Sequence, residues 1–404
     1  MGDNSVLITG IGLISSMGEG ADAHWQALTQ RAAPHLETER FAPYTAHKLG
    51  EVDWSRQIPR RSDQRQMETW QRLGTYAAGL ALEDAGLKGD EAQTSQMDMV
   101  IAAGGGERDI EVDAQILQAV RQCKTDEERG AILNQMLMTE LRPTLFLAQL
   151  SNLLAGNISI VHKITGSSRT FMGEEGCGLA ALETAFARIR SGQSSHILVG
   201  ASYNAEHYDM LLGQELNSYL KADGYAPIWA RQSGAKTAEA AHNGRGLISG
   251  TGGAFLVLES ADHAAQRGAS AYASLDNVAV SQINRQKKSL SEQFAALLNQ
   301  ARKSSPQTDF AVSGTSGVYG ITAEEKQVLT AAKVKARAFS TLFGHMREAQ
   351  FPFAVALAAL AVKNGKAFAP LEDMEQVYEA PLHSSLATII GIDRAEGVAH
   401  LTKA

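Results

Sequence analysis

Short apolar runs alternate with amphipathic stretches along the whole chain, the pattern of strands feeding helices. Val6 to Gly12 (VLITGIG) predicts a buried strand entering a glycine turn. A helix opens at Pro59 to Met67 and runs through Tyr76, Ala77, Leu80 and Leu82 to Asp84, ahead of a strand at Met97 to Ala103. Residues 107–140 are charged and helical, and an apolar helix follows Leu141 to Thr144 and ends at Leu153 to Gly156. The most ordered pattern lies between Gly166 and Asn204: a strand, a tight turn, and a helix with Leu179, Leu182, Ala185, Phe186 and Ile189 at helical spacing. Ser191-Gly192 closes that helix, and His196 to Gly200 is a second strand. Residues 205–243 read as polar loop.

The pattern then repeats. A glycine turn at Gly250 to Gly253 leads into a strand ending at Glu259. Phe310-Ala311-Val312 precedes the run Ser313-Gly314-Thr315-Ser316-Gly317. Ala338-Phe339-Ser340 leads to Gly344-His345, followed by a helix through Phe351, Val355, Leu357, Leu360 and Val362. Two strand–turn–helix units about half a chain apart suit an α/β fold.

Composition narrows the chemistry. The chain has 404 residues, enough for two core-forming halves. Its net charge of −7 argues against a nucleic-acid surface, while leaving room for a local basic patch. No apolar run reaches the length of a membrane span. The first residues show no basic segment followed by a cleavable apolar one, and Cys123 and Cys177 form no CxxC, so a reducing, cytoplasmic setting is expected. Gly10-x-Gly12 has Ser15 at the third glycine position, and no Lys-Ser/Thr follows Gly104-Gly105-Gly106. Neither a dinucleotide nor a phosphate loop is expected, the histidines lack metal spacing, and no cofactor or metal is assigned.

The turn at Gly173 to Gly178 lifts a side chain to a helix N-terminus, a place where enzymes present nucleophiles. The stretch Gly166–Asn204 resembles the nucleophile turn of elongating, type II β-ketoacyl-acyl-carrier-protein synthases, members of the thiolase superfamily. The resemblance continues through Val6 to Leu28, Gly246 to Glu259, Gly314-Thr315-Ser316 and Gly344-His345. It implies a thiolase-like duplicated α/β/α/β/α sandwich, with an N-terminal half at 1–250 carrying cap and dimer insertions and a C-terminal half at 251–404.

The resemblance also says where a condensing enzyme keeps its acyl-holding Cys, two histidines and a lysine. The Cys position holds Glu175, the first histidine position Ser313, and the lysine position Ser340; only the second histidine survives, as His345. The family's closing loop, with its gating Phe, aligns to Gly391 to Gly397 and has lost the Phe. A Glu anion about 4 Å from a malonyl carboxylate at an effective dielectric near 20 costs roughly 4 kcal/mol. One missing oxyanion donor typically costs about 3 kcal/mol. Glu175 thus has three readings: a plug that mimics a bound acyl group, a relic tolerated at a helix start, or a new catalytic group. His345 alone suits a hydrogen-bonded structural group.

By the same resemblance, Arg60, Arg61 and Arg65 lie at the helix start that meets the acidic acyl carrier protein; a solvated helix start explains them equally well. The family forms dimers in which each subunit shapes its neighbour's acyl tunnel. The expected function is a non-catalytic subunit that pairs as a heterodimer with an active ketosynthase. Thr38–Trp54 and Gln64–Arg72 resemble the second ketosynthase of the rhizobial very-long-chain fatty acid system, which serves lipid A. A chain-length factor of an aryl-polyene or polyketide pathway is the alternative partner subunit. An active condensing or decarboxylating enzyme with a rebuilt site is the alternative of another class.

Overall fold

The computed structural model describes residues 4–231, 245–303 and 305–404. Ten strands form the body of one mixed sheet. The first five are β1 (Val6–Ser15), β2 (Asp98–Ala103), β3 (Ser168–Met172), β4 (His196–Tyr203) and β5 (Gly252–Ser260), in the order β1-β5-β4-β2-β3. The second five are β6 (Ala273–Ser281), β7 (Phe310–Ser313), β8 (Lys335–Ala338), β9 (Ser384–Ile390) and β10 (Glu396–Thr402), in the order β6-β10-β9-β7-β8. Both sets run one-five-four-two-three, with the same parallel and antiparallel neighbours. The duplication, faint in identity, is complete in topology. The sets join where β1 pairs antiparallel with β6, Val6 opposite Leu275.

Helices make the other layers. α1 (Thr69–Asp84) covers β1, β4 and β5. α2 (Ile110–Arg121) and α3 (Asp126–Thr139) form a charged hairpin, and α4 (Leu153–His162) packs on α1. α5 (Glu175–Arg190) and α6 (Tyr208–Leu216) flank β4 in the chain. α7 (Leu290–Ala301) covers β6 and β10 and packs on α8 (Tyr319–Ala331). α9 (Gln350–Lys363) packs on α5, and this pair touches strands of both halves, forming the middle layer. Gln350 to Val362 are all buried, as an apolar helix in a core must be. The result is the expected α/β/α/β/α sandwich.

Three local expectations change. The helix opening at Pro59 is two: Arg61–Gln66 ends at Met67, and Glu68 starts α1 anew through a capping box with Gln71. The helix expected to end at Gly156 instead begins at Leu153, because Leu154, Ala155, Ile158 and His162 share its buried face; it packs on α1, β2 and β3. Part of the loop expected at 205–243 is α6, while residues 232–243 lie outside the described ones. β5 completes the first set of five strands, and β6 opens the second.

Candidate active site

Two turns meet where the middle helices begin. β3 ends at Met172, Gly173 turns the chain, and Glu175 is the first residue of α5. On the other side, Gly344 adopts φ +75° and delivers His345. A Cβ on Gly344 would lie 2.7 Å from Gly250 Cα, so only glycine fits there. The glycine segment after residue 245 anchors His345: its N–H donates to Ile248 O (2.9 Å), and Gly250 N–H donates to His345 O (2.9 Å). The turns are pressed together at Gly178, where a Cβ would overlap Glu348 O.

This packing brings Glu175 against His345. His345 Nε2 lies 2.7 Å from Glu175 Oε1, and both side chains are buried. Burial alone would raise the Glu175 carboxyl, but the hydrogen bond and charge of His345 overcome it and hold the carboxyl below its ordinary value. The carboxylate accepts and the imidazole donates. His345 Nδ1 has no hydrogen-bond partner among the described residues.

Ser313 and Ser340 each sit in a hydrogen-bond network of their own. Ser313, at the end of β7, donates to Glu325 Oε1 (2.7 Å), as does Thr388 Oγ1 (2.7 Å). Glu325 is fully buried, and burial raises its carboxyl. Ser340 Oγ accepts from Gln350 Nε2 (2.6 Å), which also donates to Gly314 O (3.0 Å). Gln350 Oε1 accepts from Met346 N (2.8 Å). Among the described residues, neither serine bonds an imidazole. Cys177 is no substitute: its buried thiol donates to Glu174 O (2.9 Å), and burial pushes its pKa well above the ordinary thiol value.

Three spaces line up through this region. An outer cleft of about 850 Å³ is bordered by Arg285, Lys288 and Glu324. A middle chamber of about 200 Å³ lies over Glu174 and Glu175. Tyr219, Ile392 and Asp393 line both and form the wall between them. That wall is braced. Tyr219 OH donates to Asp393 (2.5 Å), Arg285 donates to Gly391 O and Ile392 O (2.8 Å each), and Arg394 pairs with Glu174 (3.1 Å). An inner space of only about 10 Å³ is lined by Trp70, Gly104, Glu107 and Tyr203. Arg347 and Met210 line both the middle and inner spaces. Arg347 Nη1 lies 3.4 Å from the buried Glu348 carboxylate, and the Arg347 backbone holds φ +43°. A left-handed non-glycine residue costs about 1–3 kcal/mol and persists only where its surroundings fix it. Burial pushes Glu348 up to about 7; Arg347 opposes that only in part.

The structure thus gathers Glu175, His345, Ser313 and Ser340 around the start of the middle helices. Arg60, Arg61 and Arg65 are elsewhere, exposed on and beside the short helix Arg61–Gln66. Sequence reasoning missed Arg347, Glu348, Gln350 and Glu325. A signal existed for the first two, a charged pair one residue after Gly-His in an apolar run; Glu325 sits in a polar helix and carried none.

Known proteins share this frame. Residues 3–264 match the model of the β-ketoacyl synthase N-terminal domain. The 3-oxoacyl-[acyl-carrier-protein] synthase 2 of Vibrio cholerae is 25% identical over 279 residues, covering 68% of this chain and 62% of that protein. The tetracenomycin polyketide synthase ketoacyl synthase beta subunit of Streptomyces glaucescens is 27% identical over 274 residues, 65% of this chain and 60% of that one. The matched stretch thus spans about three fifths of these relatives' length. Among solved structures, the ishigamide ketosynthase/chain length factor superposes with a TM-score of 0.77 at 19% identity, over 100% of both chains. A β-ketoacyl synthase from Burkholderia phymatum STM815 gives 0.74 at 17%, over 99% of both. With a family domain matched over well more than half its length, this chain belongs to the β-ketoacyl synthase family.

Proposed function

We propose that this chain is a non-catalytic ketosynthase-like subunit of fatty acid biosynthesis, which pairs with an active β-ketoacyl-acyl-carrier-protein synthase and shapes its acyl tunnel. The observation that carries the reading is the buried Glu175–His345 pair. A carboxylate stands where the acyl-accepting thiol is expected, and it engages the surviving histidine. An acyl group carried on a carboxylate is a labile anhydride, and the anion repels a malonyl carboxylate. Of the three readings of Glu175, the plug agrees best with a carboxylate held by a defined partner.

Pairing has its own support. Among the described residues, β3 is an edge strand with β2 as its only neighbour. Nearby in the chain, Leu137, Phe146, Leu147, Ile160 and Met172 are exposed, apolar surface of the kind an interface covers. The beta subunit of the tetracenomycin synthase and the ketosynthase/chain length factor structure are relatives in keeping with a partner role. Acyl carrier protein is the second partner proposed, with Arg60, Arg61 and Arg65 as contacts. The pathway proposed is that of very-long-chain fatty acids for lipid A, with an aryl-polyene or polyketide chain-length factor as its rival.

The test is native mass spectrometry of the purified chain mixed with the active ketosynthases of the same cell. A one-to-one heterodimer is expected with one of them. Unchanged homodimers on both sides in every mixture would overturn the pairing.

A further inference from the structure

The inner space next to the middle chamber is nearly filled, and its filling is charged. Arg347 and Met210 stand between the 200 Å³ chamber and the 10 Å³ space. Glu348 is buried behind Arg347, 3.4 Å from its guanidinium. Gly104, the first glycine of a run with no phosphate-loop role, lies against this pair: a Cβ there would overlap Glu348 Oε1 and lie 3.5 Å from Arg347 Nη1. The absent side chain makes room for the ion pair. The Arg347 backbone at this junction holds φ +43°, a conformation its surroundings fix.

We propose that Arg347 and Glu348 form a charged stopper that keeps apolar acyl chains out of this subunit's own inner chamber. The inference rests on the ketosynthase-like reading, but it concerns a different barrier from Glu175. An entering chain has to displace Arg347 and leave Glu348 buried without its counter-charge, which opposes entry. Glu107 adds a second buried carboxyl on the far wall, held by Asn204 Nδ2 (2.8 Å) and Trp70 N (3.2 Å). A chamber walled this way is hostile to methylene groups and needs no lid.

The experiment is equilibrium titration of the full chain with a fluorescent long-chain fatty acid, wild type beside Arg347→Ala/Glu348→Ala. The wild-type chain gives no saturable one-to-one binding, and the double variant gains it. Circular dichroism and melting confirm that each chain is folded. Should the double variant not fold, Arg347→Met decides, since it keeps the length of the side chain and removes the charge. A folded variant that binds no better than wild type overturns the stopper, as does saturable one-to-one binding by the wild type. Because no partner is present, these outcomes leave the pairing proposal untouched.

Discussion

His345 Nε2 and Glu175 Oε1 are 2.7 Å apart, across 170 residues of sequence, and both side chains are buried. Removing one member of such a pair leaves the other buried and uncompensated. Glu175→Ala is expected to destabilise the chain by roughly 3 kcal/mol, read from urea unfolding midpoints. A loss within experimental error would mean that the pair contributes nothing to the fold.

The same pair sets an acid limb. The folded Glu175 carboxyl lies below its ordinary value, so its contribution is present above the ordinary carboxylate range and is lost as pH falls through the folded value. Glu175→Gln should flatten the loss of stability at acid pH. An identical acid limb in both proteins would contradict an ionised Glu175.

Glu348 carries the opposite sign. Its folded value is raised from about 4.5 to about 7, so its contribution is full below pH 4.5 and is lost as pH rises through 7. Glu348→Gln removes that dependence. Relative to wild type, it should gain roughly 3 kcal/mol between pH 4 and pH 8, measured by denaturant titration at each pH. A constant difference across the range would show that Glu348 does not titrate there.

Gly178 is where the two turns touch. Gly178→Ala puts a methyl group into Glu348 O and should cost about 1–3 kcal/mol by overpacking, despite alanine's better helix propensity. A gain in melting temperature would show that the first turn of α5 moves aside.

Restoring the thiol should not restore the reaction. Glu175→Cys places a thiol near His345, while Ser313 and Ser340 remain tied to Glu325 and Gln350. The variant is expected to gain alkylation at position 175 and to form no ketoacyl product from acyl- and malonyl-carrier protein. Condensation by this single variant would show that the other two substitutions are not disabling.

Much of this was legible in the chain. The β3–α5–β4 unit announced itself through helical spacing from Leu179 to Ile189, and Glu175 and His345, singled out in the sequence, meet in the structure. What was not legible is what the side chains bond. The resemblance singled out Ser313; only packing brings Glu325, twelve residues on, under its hydroxyl. Likewise Gln350 looked like the edge of an apolar helix, yet it bonds Ser340 and Gly314 O at once. Helix breaks escaped as well, because the capping box at Glu68 and Gln71 competes with an unbroken apolar periodicity.

The central claim is that this chain is silent alone and effective in company. Mass spectrometry of carrier-bound products tests it: malonyl- and acyl-carrier protein are supplied to the purified chain, then to the chain mixed with an active ketosynthase of the same cell. The account predicts neither acetyl- nor ketoacyl-carrier protein from the chain alone, and a changed product length in the mixture. Decarboxylation or condensation by the lone chain, abolished by Glu175→Ala, would contradict it and make the Glu175–His345 pair a rebuilt active site.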